Sequence, residues 1–181
     1  AFYDCSSLTN VVISEGVKKI GSFAFEVCSS LASITIPNSV TDIGSYAFFL
    51  CVDLTSVTIG NSVTRIDENA FRNCLELTRV YCYSEKVPLT HYNVFNASDV
   101  ENVTLHVPAV SIEDYKATAP WSGFGKIVPL TEEETGIEDI AVEDINFNDA
   151  PVYNLQGMKM QNVDNLPAGI YIKNGKKYMV K

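Results

Sequence analysis

Residues 24–46 read AFEVCSSLASITIPNSVTDIGSY, and this 23-residue segment recurs along the first half of the chain. An Ala-Phe pair begins at positions 1, 24, 47 and 70, so the step between copies is constant. Cysteine follows each of these alanines at the same distance, and so does leucine. A fixed period of this length indicates a repeat protein in which each unit packs against its neighbours.

Each unit contains one short stretch in which apolar and polar residues alternate. In Leu54-x-x-Val57-x-Ile59 the alternation predicts a β-strand with Val57 and Ile59 facing the interior. A turn over Gly60–Ser62 follows, and the Ala-Phe-x-x-Cys segment predicts a compact helical or 3₁₀ turn. Because one unit cannot bury its own apolar face, the strands should form a parallel sheet. The sequence therefore predicts a right-handed, mainly β repeat solenoid.

The repeated pattern A-F-x-x-C-x-x-L-x-x-V-x-I-P-x-x-V-x-x-I-G resembles the BspA-like leucine-rich repeat. The segment Ala24–Tyr46 matches nearly every position, including Pro37 and Gly44. Members of this family are commonly associated with adhesion to host proteins. The resemblance implies a secreted or cell-surface bacterial protein that binds a protein or glycan and is not an enzyme.

The fourth unit departs from the pattern. Lys86 stands where valine is expected, and the pattern resumes one residue late at Val94. We therefore expect a one-residue insertion and a bulged or looped unit between Tyr83 and Tyr92. Residues 1–108 should form the solenoid, with four full repeats and one degenerate repeat.

Residues 109–130 resemble the C-terminal cap that closes such solenoids. Ser111–Asp114 predicts a capping box at a helix start, and Pro120 should end that helix. The apolar residues that follow should cover the last repeat. These residues are Trp121, Phe124, Ile127 and Val128.

The last fifty residues have a different composition. Residues 131–150 hold eight acidic residues and no Lys or Arg, which indicates a solvated acidic linker. Residues 151–181 resemble C-terminal sorting modules of secreted bacterial proteins. Val152–Leu155 and Gly169–Lys173 predict strands, and Asn174-Gly175 predicts a hairpin turn. We expect a small antiparallel β module there.

The cysteines predict buried thiols. Cys5, Cys28, Cys51 and Cys74 occupy one equivalent site per unit, and Cys82 stands where other units have isoleucine. Free cysteine packs as a small apolar residue. Neighbouring units bring α-carbons within disulfide range, so geometry alone leaves disulfides open.

Charge and motifs exclude several functional classes. The net charge of −9 argues against a nucleic-acid partner, and no apolar run is long enough to span a membrane. Metal-binding spacings are absent, and His91 and His106 are the chain's two histidines, with His106 predicted on a strand surface. We expect no cofactor, no metal and no catalytic residue, and we interpret the acids at 132–149 as a hydrated spacer rather than a weak calcium site.

The candidate ligand surface lies on the outward side of the fourth strand. Its side chains are Arg79, Tyr81 and Tyr83, beside the irregular loop that holds His91 and Tyr92. Tyrosine and arginine are enriched at binding hot spots. The alternative is that Tyr81 and Tyr83 shield the sheet near the cap. Earlier units carry small side chains at these outward positions, most of them hydroxylic.

Two alternatives to adhesion concern the whole chain. It could be a structural spacer that supports an upstream domain absent from this sequence. It could also be an enzyme of unknown type, which would need an ordered polar cluster around His91. The first unit starts in mid-repeat at Ala1 without a polar cap. We therefore expect either further residues upstream, where a signal peptide would also lie, or end-to-end self-association through this repeat.

Overall fold

The computed structural model describes residues 1–131, 134, 137–138, 151–154, 159–160, 169–173 and 176–180. These residues fall into two compact units, Ala1–Pro129 and Leu130–Lys181. Stacked repeats dominate the first unit, as the 23-residue period predicts.

Five strands of the first unit form one parallel sheet, in the order β2-β4-β6-β8-β9. The strands are β2 (Ser33–Ile36), β4 (Ser56–Ile59), β6 (Arg79–Cys82), β8 (Thr104–Val107) and β9 (Lys126–Pro129). Every second side chain of the first four strands is buried, as the alternation predicts. The other side chains of these four strands form the outward face.

A second parallel sheet, in the order β1-β3-β5-β7, covers another side of the solenoid. Its two-residue strands are β1 (Lys19–Ile20), β3 (Asp42–Ile43), β5 (Arg65–Ile66) and β7 (Leu89–Thr90). The sequence predicted only that the chain returns here through apolar residues. Ile66 pairs with Thr90, a step of 24 residues rather than 23, which confirms the one-residue insertion in the fourth unit. The segment between Tyr83 and Tyr92, predicted to be bulged or looped, nevertheless contains the short strand β7.

The Ala-Phe-x-x-Cys segments form compact turns on a third side. Each has hydrogen bonds of the 3₁₀ type, such as the one from the Cys28 N–H to the Phe25 oxygen at 3.3 Å. Phe23 and Val27 have positive φ angles of 60° and 61°, which prevents the turn from continuing as a helix. The segment is therefore a turn with left-handed residues at both ends.

Phenylalanine and cysteine form parallel ladders through the core. The ring of Phe48 stacks on those of Phe25 and Phe71, each at 5.2 Å between centroids. The Cys51 thiol donates a hydrogen bond to the Phe25 oxygen at 3.3 Å, and the equivalent bond recurs in neighbouring repeats. All five cysteines are free. Four of them are buried as predicted, whereas Cys5 in the first repeat is only half-buried. Ser98 takes the cysteine position in the last turn.

The cap begins with helix α1 (Ile112–Ala117). The predicted capping box is wrong: the Ser111 side chain makes no capping bond and donates instead to the Glu85 oxygen at 2.6 Å. Ser111 is buried against the preceding repeat, so its hydroxyl bonds there rather than to the helix. The buried Trp121 and Phe124 pack edge-on against Phe95, which confirms that they cover the last repeat.

The second unit contains a four-stranded sheet, in the order β10-β13-β12-β11. Its strands are β10 (Ile137–Glu138), β11 (Val152–Asn154), β12 (Gly169–Lys173) and β13 (Lys176–Val180). β11, β12 and β13 pair antiparallel as predicted, while β10 joins parallel from within the predicted acidic linker. The predicted turn at Asn174-Gly175 lies outside the described residues.

Candidate binding surface

The outward face of the five-stranded sheet changes character along the solenoid. In β2 and β4 the outward side chains are small and hydroxylic. In β6, β8 and β9 they become larger and partly basic. The strand register places Arg79, Thr104 and Lys126 in one row across the three strands, and Tyr81, His106 and Val128 in the next outward row.

The rings of Tyr81 and His106 make the central contact of this region, with 4.5 Å between centroids. Arg79 and Lys126 are exposed on the same face, and within the described part of the chain neither forms an ion pair. No aspartate or glutamate occupies the outward positions of these strands. We define the Tyr81–His106 patch as Arg79, Tyr81, Thr104, His106 and Lys126.

The charged residues of the four-stranded sheet are arranged differently. Asp42 lies 3.6 Å from the Lys19 ammonium and 3.4 Å from the Arg65 guanidinium. A hydrogen bond from the Thr41 hydroxyl and these two cations hold the pKa of Asp42 below its usual range. Positive charge on this sheet is thus neutralised by a carboxylate, whereas no carboxylate of the described residues pairs with Arg79 or Lys126.

Tyr83 follows β6 on the same outward side, where it is half-buried. It lines a depression of about 340 Å³ together with Glu85 and Lys86. Its main-chain N–H donates to the Ile59 oxygen at 3.0 Å, which holds the strand end in place.

His91 and Tyr92 lie elsewhere, in the turn that follows β7 of the other sheet. Their rings are 4.5 Å apart, and the His91 Nδ1 is 2.6 Å from the Asn93 Oδ1. Tyr92 is 81% exposed. The five residues singled out in the sequence therefore form two groups, and His106 and Lys126 join the first group.

Sequence reasoning placed His106 on a strand surface but did not connect it with Tyr81. The sequence signal that could have revealed this contact is the similarity of Thr104–Val107 to Arg79–Cys82, because apolar and polar side chains alternate in the same way in both segments. The step between these strands is 25 residues rather than 23, which hides the match from a search at constant period.

The thiols offer little nucleophilic chemistry. Burial raises the pKa of Cys51 to about 12, and burial also raises the pKa of Cys74 and Cys82. A thiol held protonated is a poor nucleophile and a poor metal ligand. The part of the chain that the structure describes contains no cluster of histidine, cysteine or carboxylate side chains suited to a metal ion.

Comparison with protein families identifies the repeats. The BspA type leucine rich repeat region matches residues 1–116 in six copies. This chain belongs to the BspA-type leucine-rich repeat family. Among the described residues of this leucine-rich repeat chain, no helix is long and apolar enough to cross a membrane.

The solved structures that are similar to this leucine-rich repeat chain include a leucine rich cell surface protein from Faecalibacterium prausnitzii A2-165, at 24% identity and a TM-score of 0.48. The alignment covers 66% of this chain and 31% of that one, so this chain spans about a third of its neighbour's length. A comparison with curated proteins finds no match.

Proposed function

We propose that this chain is a non-catalytic binding module of the bacterial cell surface or exterior, and that it binds a protein partner through the Tyr81–His106 patch. The observation that carries the proposal is the register, which sets the paired rings of Tyr81 and His106 in the row next to the one that holds two exposed cations, Arg79 and Lys126. Paired rings provide a large contact area with polar edges, a composition typical of binding hot spots.

Charge indicates the kind of partner. The chain as a whole has a net charge of −9, yet the outward rows of β6, β8 and β9 carry Arg79 and Lys126 and no carboxylate. A local positive patch on an acidic protein favours a partner surface that presents carboxylates, because electrostatic complementarity speeds association and excludes unsuitable partners. An acidic host protein fits this description better than a neutral one. Adhesion is the use that the family resemblance implies.

The test is binding of the full chain to arrayed host matrix proteins and glycans. We compare it with a variant carrying Arg79→Glu and Tyr81→Ala. Loss of one hot spot costs about 2 kcal/mol, which corresponds to roughly a 30-fold weaker Kd. We expect a saturable signal on a protein target that weakens by at least this factor and also falls with added salt.

Ser33→Glu with Thr35→Ala is the matched control, because these residues occupy the same register positions two strands away. It should bind like the unaltered chain. Equal losses in both variants would place the interaction elsewhere on the sheet. A signal confined to glycans would replace the protein partner with a carbohydrate. Silence across the array would favour the structural spacer.

A further inference from the structure

Rows of main-chain N–H groups join each turn of the solenoid to the turn that follows it. The Phe48 N–H donates to the Ala70 oxygen at 2.8 Å, and the Leu50 N–H donates to the Arg72 oxygen at 3.1 Å. Alternate amides of the turn therefore point toward its successor. The same pair of bonds runs from Phe25 to Ala47, from Val27 to Phe49, from Phe71 to Val94 and from Asn73 to Asn96.

The turn around Phe95 is the last of this stack, and it keeps the geometry of the others. The Phe95 ring stacks on that of Phe71 at 5.8 Å. Ala97 has a positive φ of 56°, close to the 59° of Asn73 in the preceding turn. Its Phe95 and Ala97 amides correspond to the two donors of every earlier turn. In the described part of the chain neither amide has a hydrogen-bond acceptor.

A groove of about 740 Å³ lies between this last turn and the cap. Phe95 and Ala97 line it from the turn, and Ala119, Pro120, Ser122 and Gly123 line it from the cap. The volume falls within the roughly 300–1,000 Å³ that is usual for ligand sites. Trp121 and Phe124 cover the Phe95 ring, but the cap provides no carbonyl oxygen to the two amides.

The other lining residues narrow the kind of ligand. Val100 and Pro120 provide apolar contact, whereas Asp99 and Glu101 add two carboxylates. Two carboxylates disfavour an anion such as phosphate, although unpaired amides alone would suit one. A peptide main chain meets both conditions, because its carbonyl oxygens are neutral acceptors and its side chains can carry positive charge.

We propose that this groove, which we call the Phe95–Ala97 groove, binds a peptide segment of a partner protein. Its main-chain carbonyls accept hydrogen bonds from the Phe95 and Ala97 amides, and a Lys or Arg side chain pairs with Glu101 or Asp99. The peptide takes the place that the next turn holds elsewhere in the stack. This site goes beyond the proposed function, because it uses the end of the turn stack and not the Tyr81–His106 patch.

The first experiment measures amide hydrogen exchange by NMR in the full chain without ligand. We expect the Phe95 and Ala97 amides to exchange at least 100-fold faster than those of Phe48 and Leu50, because the latter are hydrogen-bonded between turns. Equal protection of all four amides would overturn the proposal, since the donors would already be satisfied within the chain.

The second experiment selects peptides from a displayed random 12-residue library against the full chain. Gly123→Phe fills the groove, and it should fold because a Cβ at Gly123 meets only a Val100 methyl at 3.8 Å. Glu101→Lys reverses charge in the groove, and Glu15→Lys makes the same change on an exposed residue of the first repeat. Circular dichroism checks the folding of each variant.

We expect the selected peptides to be rich in Lys and Arg, and to bind at least tenfold more weakly to Gly123→Phe and Glu101→Lys. Glu15→Lys and Tyr81→Ala should leave the Kd unchanged, so this proposal and the proposed function fail separately. Peptides should also protect the Phe95 and Ala97 amides. Failure to select any peptide sensitive to Gly123→Phe would overturn the proposal. Self-association of the chain that Gly123→Phe abolishes would also overturn it, by assigning the groove to a second copy.

Discussion

Phe48→Ala should remove several kilocalories per mole from the free energy of unfolding. The side chain is fully buried, and its ring stacks on Phe25 and on Phe71, each at 5.2 Å. Replacing a buried phenylalanine by alanine costs about 3–5 kcal/mol through lost apolar burial and the cavity that remains. Two ring pairs are lost at once, which places the expected loss at about 4–5 kcal/mol.

Phe49→Ala is the matched control in the adjacent position. Phe49 is half-buried, touches Tyr46 edge-on at 5.5 Å and lies 5.9 Å from the Arg72 guanidinium. We expect this variant to lose about 1 kcal/mol, because these partly exposed contacts are weaker.

The assay is urea unfolding of the full chain, followed by circular dichroism and by fluorescence of Trp121. Trp121 is the single tryptophan and is fully buried in the cap, so its signal reports whether loss of the central repeat unfolds the end of the solenoid as well. Coupling between neighbouring repeats predicts that both signals shift to lower urea together. If Phe48→Ala lost no more stability than Phe49→Ala, the phenylalanine ladder would not be the source of cohesion between repeats.

Three further predictions concern close packing and the thiol ladder. Gly60→Ala should lower the free energy of unfolding in urea by about 1–3 kcal/mol, because the new Cβ would lie 2.6 Å from a main-chain oxygen of the preceding repeat. Gly21→Ala is the control: its Cβ would meet no atom within 4 Å, so stability should change by less than about 0.5 kcal/mol. Burial raises the pKa of Cys51 to about 12 in the folded chain, against 9.0 for a free thiol. The unfolded chain therefore loses this proton at a lower pH than the folded chain does. The contribution of Cys51 to stability is complete below pH 9 and declines as the pH rises toward 12. Thermal unfolding from pH 8 to pH 11 should show that decline, and a thiol reagent should leave Cys51 unmodified at pH 8 until the chain unfolds. Cys51→Ser should lower the thermal unfolding temperature less than Cys51→Val. A serine hydroxyl can donate to the Phe25 oxygen, just as Ser98 donates to the equivalent Phe71 oxygen in the last turn, whereas valine leaves the Phe25 oxygen without this donor.

Much of the fold follows from the repeat period. The constant step of Ala-Phe, Cys and Leu predicts the stacking, the buried thiols and the parallel strands, because a unit with an apolar face can bury it only against an identical neighbour. The second sheet was not predicted, since two-residue strands such as Arg65–Ile66 leave no alternation to read. The capping box failed for a related reason, because the hydroxyl of Ser111 found a partner in another repeat, Glu85, and not in its own helix.

The candidate site was predicted in part. Arg79 and Tyr81 could be assigned to the outward face from alternation within one strand. The contact between Tyr81 and His106 could not, because it depends on how β6 and β8 align after the period has changed to 25 residues. His91 and Tyr92 are close to Tyr83 in the sequence, but they lie in the turn that follows β7 of the four-stranded sheet, because β7 separates them from Tyr83.

The sequence by itself determined the architecture of the solenoid, because periodic apolar residues specify which side chains must be buried whatever the details of their neighbours. Only the tertiary structure decided which groups are left for a partner. Among the described residues, Arg79 and Lys126 have no ion-pair partner because the strands beside them bring no carboxylate to their face, whereas Asp42 lies between two cations on the other sheet. The amides of Phe95 and Ala97 have no acceptor in the part of the chain that the structure describes, because no further turn of the stack follows theirs there. The partners of these groups come from neighbours in space, which local sequence does not encode.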